Sequence, residues 1–177
     1  MTGRLHFNQR RIAWWMLAGS AFLLESTAAW FQYGMELDPC VLCVYQRVAV
    51  LGILAAGLLG AIWPRLALLR WGGYLLWATS AGWGLRLALE HVGYQVATGP
   101  TLSCTFSANF PSWAKLDEWW PAAFQPTGYC EDIQWQWLSL SMAQWMVVVF
   151  SVYLIILAIV IVAELRHGRS KSPKSIR

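Results

Sequence analysis

Four apolar blocks decide what this chain can fold into. Residues 12–33, 41–63, 71–89 and 144–163 each approach or exceed the length needed to cross a bilayer core, about 20 residues of helix. Backbone polar groups in lipid must be satisfied within their own segment, so helix is the form open to each block. Charged residues make up only 12% of the chain, half of the ~25% usual in soluble domains. The expectation is an all-α membrane protein in one domain, 1–177. It would be a four-transmembrane-helix bundle, with connections at 34–40 and 64–70 and a long loop, 90–143, between helices three and four.

The first block shares some features with a signal peptide. Arg4, Arg10 and Arg11 precede it, and Thr27-Ala28-Ala29 is a run of small residues. Its apolar run is too long for a simple signal core, Glu25 interrupts it, and Trp30, Phe31 and Tyr33 carry it onward. It reads as a retained first helix.

Orientation follows from Lys and Arg. Arg4, Arg10, Arg11, Arg65, Arg70, Arg166, Arg169, Lys171, Lys174 and Arg177 fall in 1–11, 64–70 and 164–177. The loops 34–40 and 90–143 hold Lys115 alone, against Glu36, Asp38, Asp117, Glu118, Glu131 and Asp132. Both termini are therefore expected in the cytoplasm. The net charge of +4 is this topological bias rather than a nucleic-acid footprint, and the basic tail can also touch anionic lipid.

On that map all four cysteines lie on the outer face, where disulfides persist. Cys40 and Cys43 open the second helix in Pro39-Cys40-Val41-Leu42-Cys43, and Cys104 and Cys130 lie in the long loop. A thiol at a helix start meets unpaired N–H groups and the positive end of the helix dipole, which favour thiolate. Arg47 follows Cys43 by one helical turn on the same face. A guanidinium there would stabilise a thiolate or a developing anion on a quinone, and intramembrane charges are costly and usually functional. Two plainer readings stand beside the redox one: a static disulfide clamping a helix end, or half of a zinc site. Zinc usually takes four ligands, often from two such motifs, and Cys104 and Cys130 do not form a second one.

Cys104 and Cys130 bracket a stretch rich in Pro, Ser and Trp. Within it, 112–124 carries Trp113, Leu116, Trp119 and Trp120 at spacings of about three to four, until Pro121. Such a segment can lie in the headgroup layer and suits a carrier of an exchangeable disulfide; a plain loop-closing disulfide is the alternative. Arg86 and Glu90 are spaced to pair, while His91 falls at the depth of Cys43 and Arg47 and could serve a quinone carbonyl. Glu25 is either a helix-packing partner or a proton route. Gly52, Gly57, Gly60, Gly82 and Gly84 suit close helix approach. His6 and His167 fall in the solvated tails. No C-x-x-C-H and no G-x-G-x-x-G occurs, so a lipid-soluble electron acceptor is reached by elimination.

Together, Pro39-Cys40-Val41-Leu42-Cys43-Val44-Tyr45-Gln46-Arg47, four apolar blocks and the loop Cys104 and Cys130 resemble the disulfide bond formation protein B (DsbB) family. The likeness runs from Glu25-Ser26-Thr27-Ala28-Ala29-Trp30-Phe31-Gln32 to Gln144-Trp145. It implies an enzyme of the bacterial inner membrane, a protein-dithiol:quinone oxidoreductase that forms disulfides for folding proteins. Cys104 would form the mixed disulfide with the thioredoxin-like oxidase DsbA, and Cys130 would be its loop partner. Electrons would pass to Cys40–Cys43, with Cys43 meeting the quinone, Arg47 holding it and His91 beside it. The resemblance thus implies disulfide pairs Cys40–Cys43 and Cys104–Cys130, ubiquinone or menaquinone as cofactor, and no metal. Asn109 departs from the basic residue expected at its position, which bears on partner docking. In the vitamin K epoxide reductase family the C-x-x-C follows the loop cysteines, the reverse of the order here. Two alternatives remain: a paralogue serving a different thioredoxin-like partner, and a non-catalytic membrane scaffold with two structural disulfides.

Overall fold

A computed structural model describes residues 11–96, 104, 108–112 and 114–170. Arg4, His6, Arg10, Trp113, Lys171, Lys174 and Arg177 lie outside them, as do the side chains of His167 and Arg169. The described chain is mostly helical. Its long helices are α1 (Arg11–Gly34), α2 (Val41–Ile62), α3 (Ala67–Val96) and α6 (Met142–Ser170). Between α3 and α6 come two single turns, α4 (Leu116–Trp119) and α5 (Pro121–Phe124), and a hairpin of β1 (Gln136–Trp137) and β2 (Leu140–Ser141).

Prolines set the boundaries of α2. A residue before proline is steered away from helical geometry. Pro39 accordingly follows a non-helical stretch, 36–38, and Pro64 follows Trp63, whose φ of −144° and ψ of 75° end the helix. Both α3 and α6 outrun the apolar blocks 71–89 and 144–163, because polar and charged residues at their ends continue the backbone ladder; Arg70 N–H, for instance, donates to Leu66 O at 3.1 Å.

By length and apolarity, three helices suffice to cross a membrane: Arg11–Gly34, Val41–Ile62 and Met142–Arg166. The helix α3 is the longest at 30 residues, but Trp71, Gly72, Gly73, Tyr74, Thr79, Ser80 and Gly82 dilute its hydropathy. It packs between α2 and α6, while α1 packs on α2. The seam between α1 and α6 is sparse, and one direct link across it joins the Ser20 and Tyr153 hydroxyls at 2.9 Å.

The core is built around Trp14, Ile53, Tyr74, Ala81 and Phe150, with Trp14 and Tyr74 stacked at 5.2 Å between ring centres. Close approach rests on small residues: a Cβ on Gly57 would sit 2.7 Å from the Ala18 backbone nitrogen, and one on Gly60 or Gly84 would run into Trp14 or Phe150. Gly82 differs from the expectation, since nothing lies within 4 Å of where its Cβ would be.

Two further expectations are corrected. Arg70, read as a loop charge, is buried in α3, ion-paired to Glu164 at 2.8 Å and donating to Pro64 O at 3.0 Å. Among the described residues Arg86 and Glu90 form no ion pair. The aromatic run in 112–124 breaks before Pro121, where its sequence spacing also stops. Trp120, held out of helical geometry by the following proline (φ −142°, ψ 71°), divides α4 from α5, and Trp119 and Trp120 are exposed. The hairpin was not legible, because its turn residues Leu138 and Ser139, at φ 51° and 63°, lack the Asn-Gly or Asp-Gly chemistry that marks such turns.

Candidate thiol site

The site is assembled by stitching the loop onto the start of α2. Pro39 O accepts from Thr127 N–H at 2.9 Å and from Gly128 N–H at 3.2 Å. Asp38 accepts from the Thr127 hydroxyl at 2.9 Å through its carboxylate and from Gln134 Nε2 at 3.2 Å through its carbonyl. Gly128 permits this fit, since a Cβ there would meet Asp38 O. On the other arm Asn109 N–H donates to the Tyr45 hydroxyl at 2.6 Å, and Phe110 packs edge-on against the Tyr45 ring.

These contacts bring all four cysteines into one apolar cluster. Cys40, Val41, Leu42, Leu87 and Cys130 are its buried members, with Cys43 and Cys104 packed against it. Cys104 and Cys130 are bonded, with an S–S distance of 2.03 Å. Cys40 and Cys43 are thiols, their sulfurs 2.8 Å apart.

Cys40 caps α2. Its backbone is extended (φ −77°, ψ 167°), and its sulfur accepts from Cys43 N–H at 3.2 Å, satisfying one of the free amides at the helix start. On its other side lies His91 Nε2 at 3.6 Å, and His91 Nδ1 is 3.5 Å from Gln46 Nε2. The Cys40 thiol is pushed up, chiefly by the hydrogen bond it shares with Cys43 and then by burial, with His91 opposing.

Arg47 is held differently. Its Nη1 donates to Gln32 Oε1 at 2.5 Å and to Ala123 O at 2.9 Å, and among the described residues it makes no ion pair. Ala122 O, one residue earlier in α5, accepts from Gln32 Nε2 at 2.8 Å and from the Tyr33 hydroxyl at 2.5 Å. The guanidinium thus ties α1, α2 and α5 together through neutral oxygens, while Glu25 faces the same cavity without a direct ion pair to it.

Beside these groups lies a cavity of ≈ 310 Å³ at the α1/α6 seam. Leu24, Phe31, Val50, Met146 and Val149 supply apolar walls, and Cys43, Arg47, Gln46, His91 and Glu25 also face it. Its size is at the lower end of the roughly 300–1,000 Å³ of small-molecule sites, and its makeup, apolar with a few convergent polar groups, is theirs too.

The structure therefore groups Cys40, Cys43, Arg47 and His91, with the bonded Cys104 and Cys130 adjoining. His91 contacts Cys40 more intimately than its depth alone suggested. Gln32 and Gln46 were missed as site residues. The available signal was their polarity inside apolar blocks, with Gln46 buried to 3% exposure.

Comparison with known proteins is consistent across the chain. Residues 10–160 match the family described as disulfide bond formation protein DsbB. A protein of Aeromonas hydrophila called disulfide bond formation protein B is 50% identical over 159 residues, covering 90% of this chain and 92% of that protein. One of the same name from Shewanella sp. (strain MR-4) is 50% identical over 172 residues, 97% of this chain and 98% of that protein. The chain belongs to the DsbB family.

Proposed function

We propose that this protein is a disulfide-generating oxidoreductase that reoxidises a DsbA-like periplasmic dithiol protein and passes the electrons to a membrane quinone, ubiquinone or menaquinone. The observation that carries this reading is the one apolar cluster holding the Cys104–Cys130 disulfide beside the Cys40 and Cys43 thiols, next to a largely apolar cavity at the seam between α1 and α6. In this reading α3 is the fourth crossing, both termini face the cytoplasm and the cysteine end faces the periplasm, as the distribution of Lys and Arg requires.

The exchange balances at each stage. A partner thiolate attacks the loop disulfide at Cys104, releasing Cys130. Its second thiol then resolves the mixed disulfide, leaving the partner oxidised and Cys104 and Cys130 reduced. The reduced loop pair next reduces the Cys40–Cys43 disulfide, restoring its own. Oxidation of Cys40 and Cys43 to a disulfide releases two electrons and two protons, and a quinone supplies the two-electron acceptor.

The cavity fits such a group: its walls are apolar, and one end carries the Cys43 sulfur and the Arg47 guanidinium. There Arg47 favours negative charge near the Cys43 sulfur, in surroundings where electrostatics are stronger than in water. Gln32 and Ala123 O fix the direction of its fork.

Loss of quinone absorbance, followed with purified protein, quinone and a reduced thioredoxin-like partner, tests the reading. The expected result is turnover that needs both the partner thiols and Cys43. Unchanged quinone reduction in Cys43→Ser, or without a thiol donor, would overturn it. In Cys104→Ser, oxidation of the partner should stop while a small dithiol still reduces Cys40–Cys43.

A further inference from the structure

The three donor atoms of Cys40, Cys43 and His91 all lie within 4.8 Å of one another. We infer that the reduced site is also a metal site, in which the two thiolates and His91 Nε2 hold one thiophilic cation of the Zn²⁺ class and thereby block the pair from disulfide exchange. This rests on the proposed function only in assuming that Cys40 and Cys43 pass through the dithiol state.

The donor chemistry is selective. Two sulfurs and one imidazole suit zinc, whereas hard cations prefer oxygen. Zn–S and Zn–N distances of about 2.3 and 2.0 Å in a tetrahedron require ligand separations of about 3.5–3.8 Å. The Cys40 Sγ to His91 Nε2 distance of 3.6 Å already meets that requirement. The sulfurs, at 2.8 Å, must part by about 1 Å, and Cys43 is only half-buried on the cavity side.

The second shell needs one adjustment. Gln46 Nε2 lies 3.5 Å from His91 Nδ1; with metal on Nε2 the Nδ1–H must donate, so the Gln46 amide turns over to present Oε1, the kind of outer acceptor that orients metal-binding histidines. The protein supplies three ligands and the adjoining cavity leaves room for a fourth, as in open zinc sites. A motif-by-motif reading finds one C-x-x-C and stops at two ligands. The third comes from α3, 48 residues beyond Cys43 in the chain.

Binding replaces two thiol protons with one Zn²⁺ and releases those protons. The Cys40–Cys43 disulfide has no thiolate to offer, so oxidation expels the metal. The site is therefore gated by its own redox state: it captures metal only while waiting for an acceptor, and capture prevents reoxidation.

The test uses the full chain as Cys104→Ala/Cys130→Ala, so that Cys40 and Cys43 are its only thiols. The protein is reduced with a non-chelating phosphine, freed of reagent and titrated with Zn²⁺ against a chromophoric chelator. One Zn²⁺ per chain is expected, with binding lost after diamide oxidation. Gln46→Leu should weaken affinity about ten- to a hundredfold, and His91→Ala by more. Stoichiometry that survives oxidation, or affinity unchanged in His91→Ala, would overturn the inference. Co²⁺ added to the protein with His91 and Gln46 intact gives a readout that does not depend on those variants folding. Thiolate-to-cobalt charge transfer with tetrahedral visible bands supports the site, and a six-coordinate spectrum without them sinks it. Neither measurement involves quinone or partner, so a protein that turns over quinone but binds no zinc refutes this inference alone.

Discussion

Two arginines at opposite ends of the same bundle are used in opposite ways. Arg70 is closed off: buried to 8% exposure, paired with Glu164 at 2.8 Å and bonded to Pro64 O. Its side-chain links join α3 to α6 and to the turn at Pro64. Arg47 is held by two neutral oxygens and faces a cavity with Cys43. The first arrangement spends its charge on the fold, whereas the second keeps it available to whatever enters. Position in the membrane does not separate the two roles. A direct ion pair does: Arg70 has one with Glu164, whereas Glu25 only shares the cavity that Arg47 faces.

The sharpest way to break this comparison is at Arg70. Arg70→Leu leaves the largely buried Glu164 without its cation and should cost about 3–5 kcal/mol, the loss typical of breaking one side of a buried pair. Arg70→Leu/Glu164→Leu should recover most of that loss, since an apolar replacement of a whole pair is close to neutral. Thermal unfolding in detergent measures both. A double variant as unstable as the single one would show that the pair is not the clamp.

Arg47→Leu should do the reverse. Quinone-linked turnover is expected to fall roughly a hundredfold, about 2.7 kcal/mol in the barrier, while the unfolding midpoint moves far less than in Arg70→Leu. Arg47→Lys keeps a charge but loses the planar guanidinium, whose Nη1 donates to both Gln32 Oε1 and Ala123 O and leaves its other N–H groups directed elsewhere, so it should restore only part of the rate. A midpoint drop matching that of Arg70→Leu would erase the distinction between the two arginines.

How much of this was visible in the sequence differs along the same lines. The apolar blocks place the four long helices to within a few residues at most ends, because the length of an apolar run is a one-dimensional property. The grouping of Cys40, Cys43 and Arg47 follows from helical spacing alone. His91 needed the bundle, and Gln46 became visible only once His91 stood across from it, since contacts between α2 and α3 have no signature in either segment. Arg70 was misread as a solvated loop charge because its partner Glu164 is 94 residues away. The break at Trp120 was legible, because Pro121 announces it, but the two single turns on either side of it were not. Gly82 shows the limit of composition, for it looks like Gly84 in sequence and differs only in having no neighbour within 4 Å.

That last contrast gives a smaller test, of packing rather than charge. Gly57→Ala places a methyl 2.7 Å from the Ala18 backbone nitrogen, where neither side can yield without shifting a helix. Overpacking of this kind costs about 1–3 kcal/mol. Gly82→Ala meets nothing and removes a flexible residue from a helix interior, so it should be neutral or stabilising by up to about 1 kcal/mol. Equal effects from the two would mean that α1 and α2 are not seated as tightly as their backbones suggest.

The finest form of the comparison lies within the C-x-x-C itself. Cys40 repeats the closed pattern of Arg70: it is 2% exposed, capped onto the Cys43 amide, flanked by His91, and its thiol is pushed up first by the hydrogen bond to Cys43. Cys43 repeats the open pattern of Arg47, half-buried and facing the cavity. Thiolate is the reactive form and access decides which sulfur is attacked. In reduced Cys104→Ala/Cys130→Ala protein, iodoacetamide should therefore label Cys43 several-fold faster than Cys40, as read by peptide mass spectrometry over a time course. His91→Ala opens one flank of Cys40 but leaves the hydrogen bond to Cys43, so the preference should narrow without reversing. A reversal would place the exchangeable proton on Cys43 and make Cys40 the sulfur that faces the acceptor.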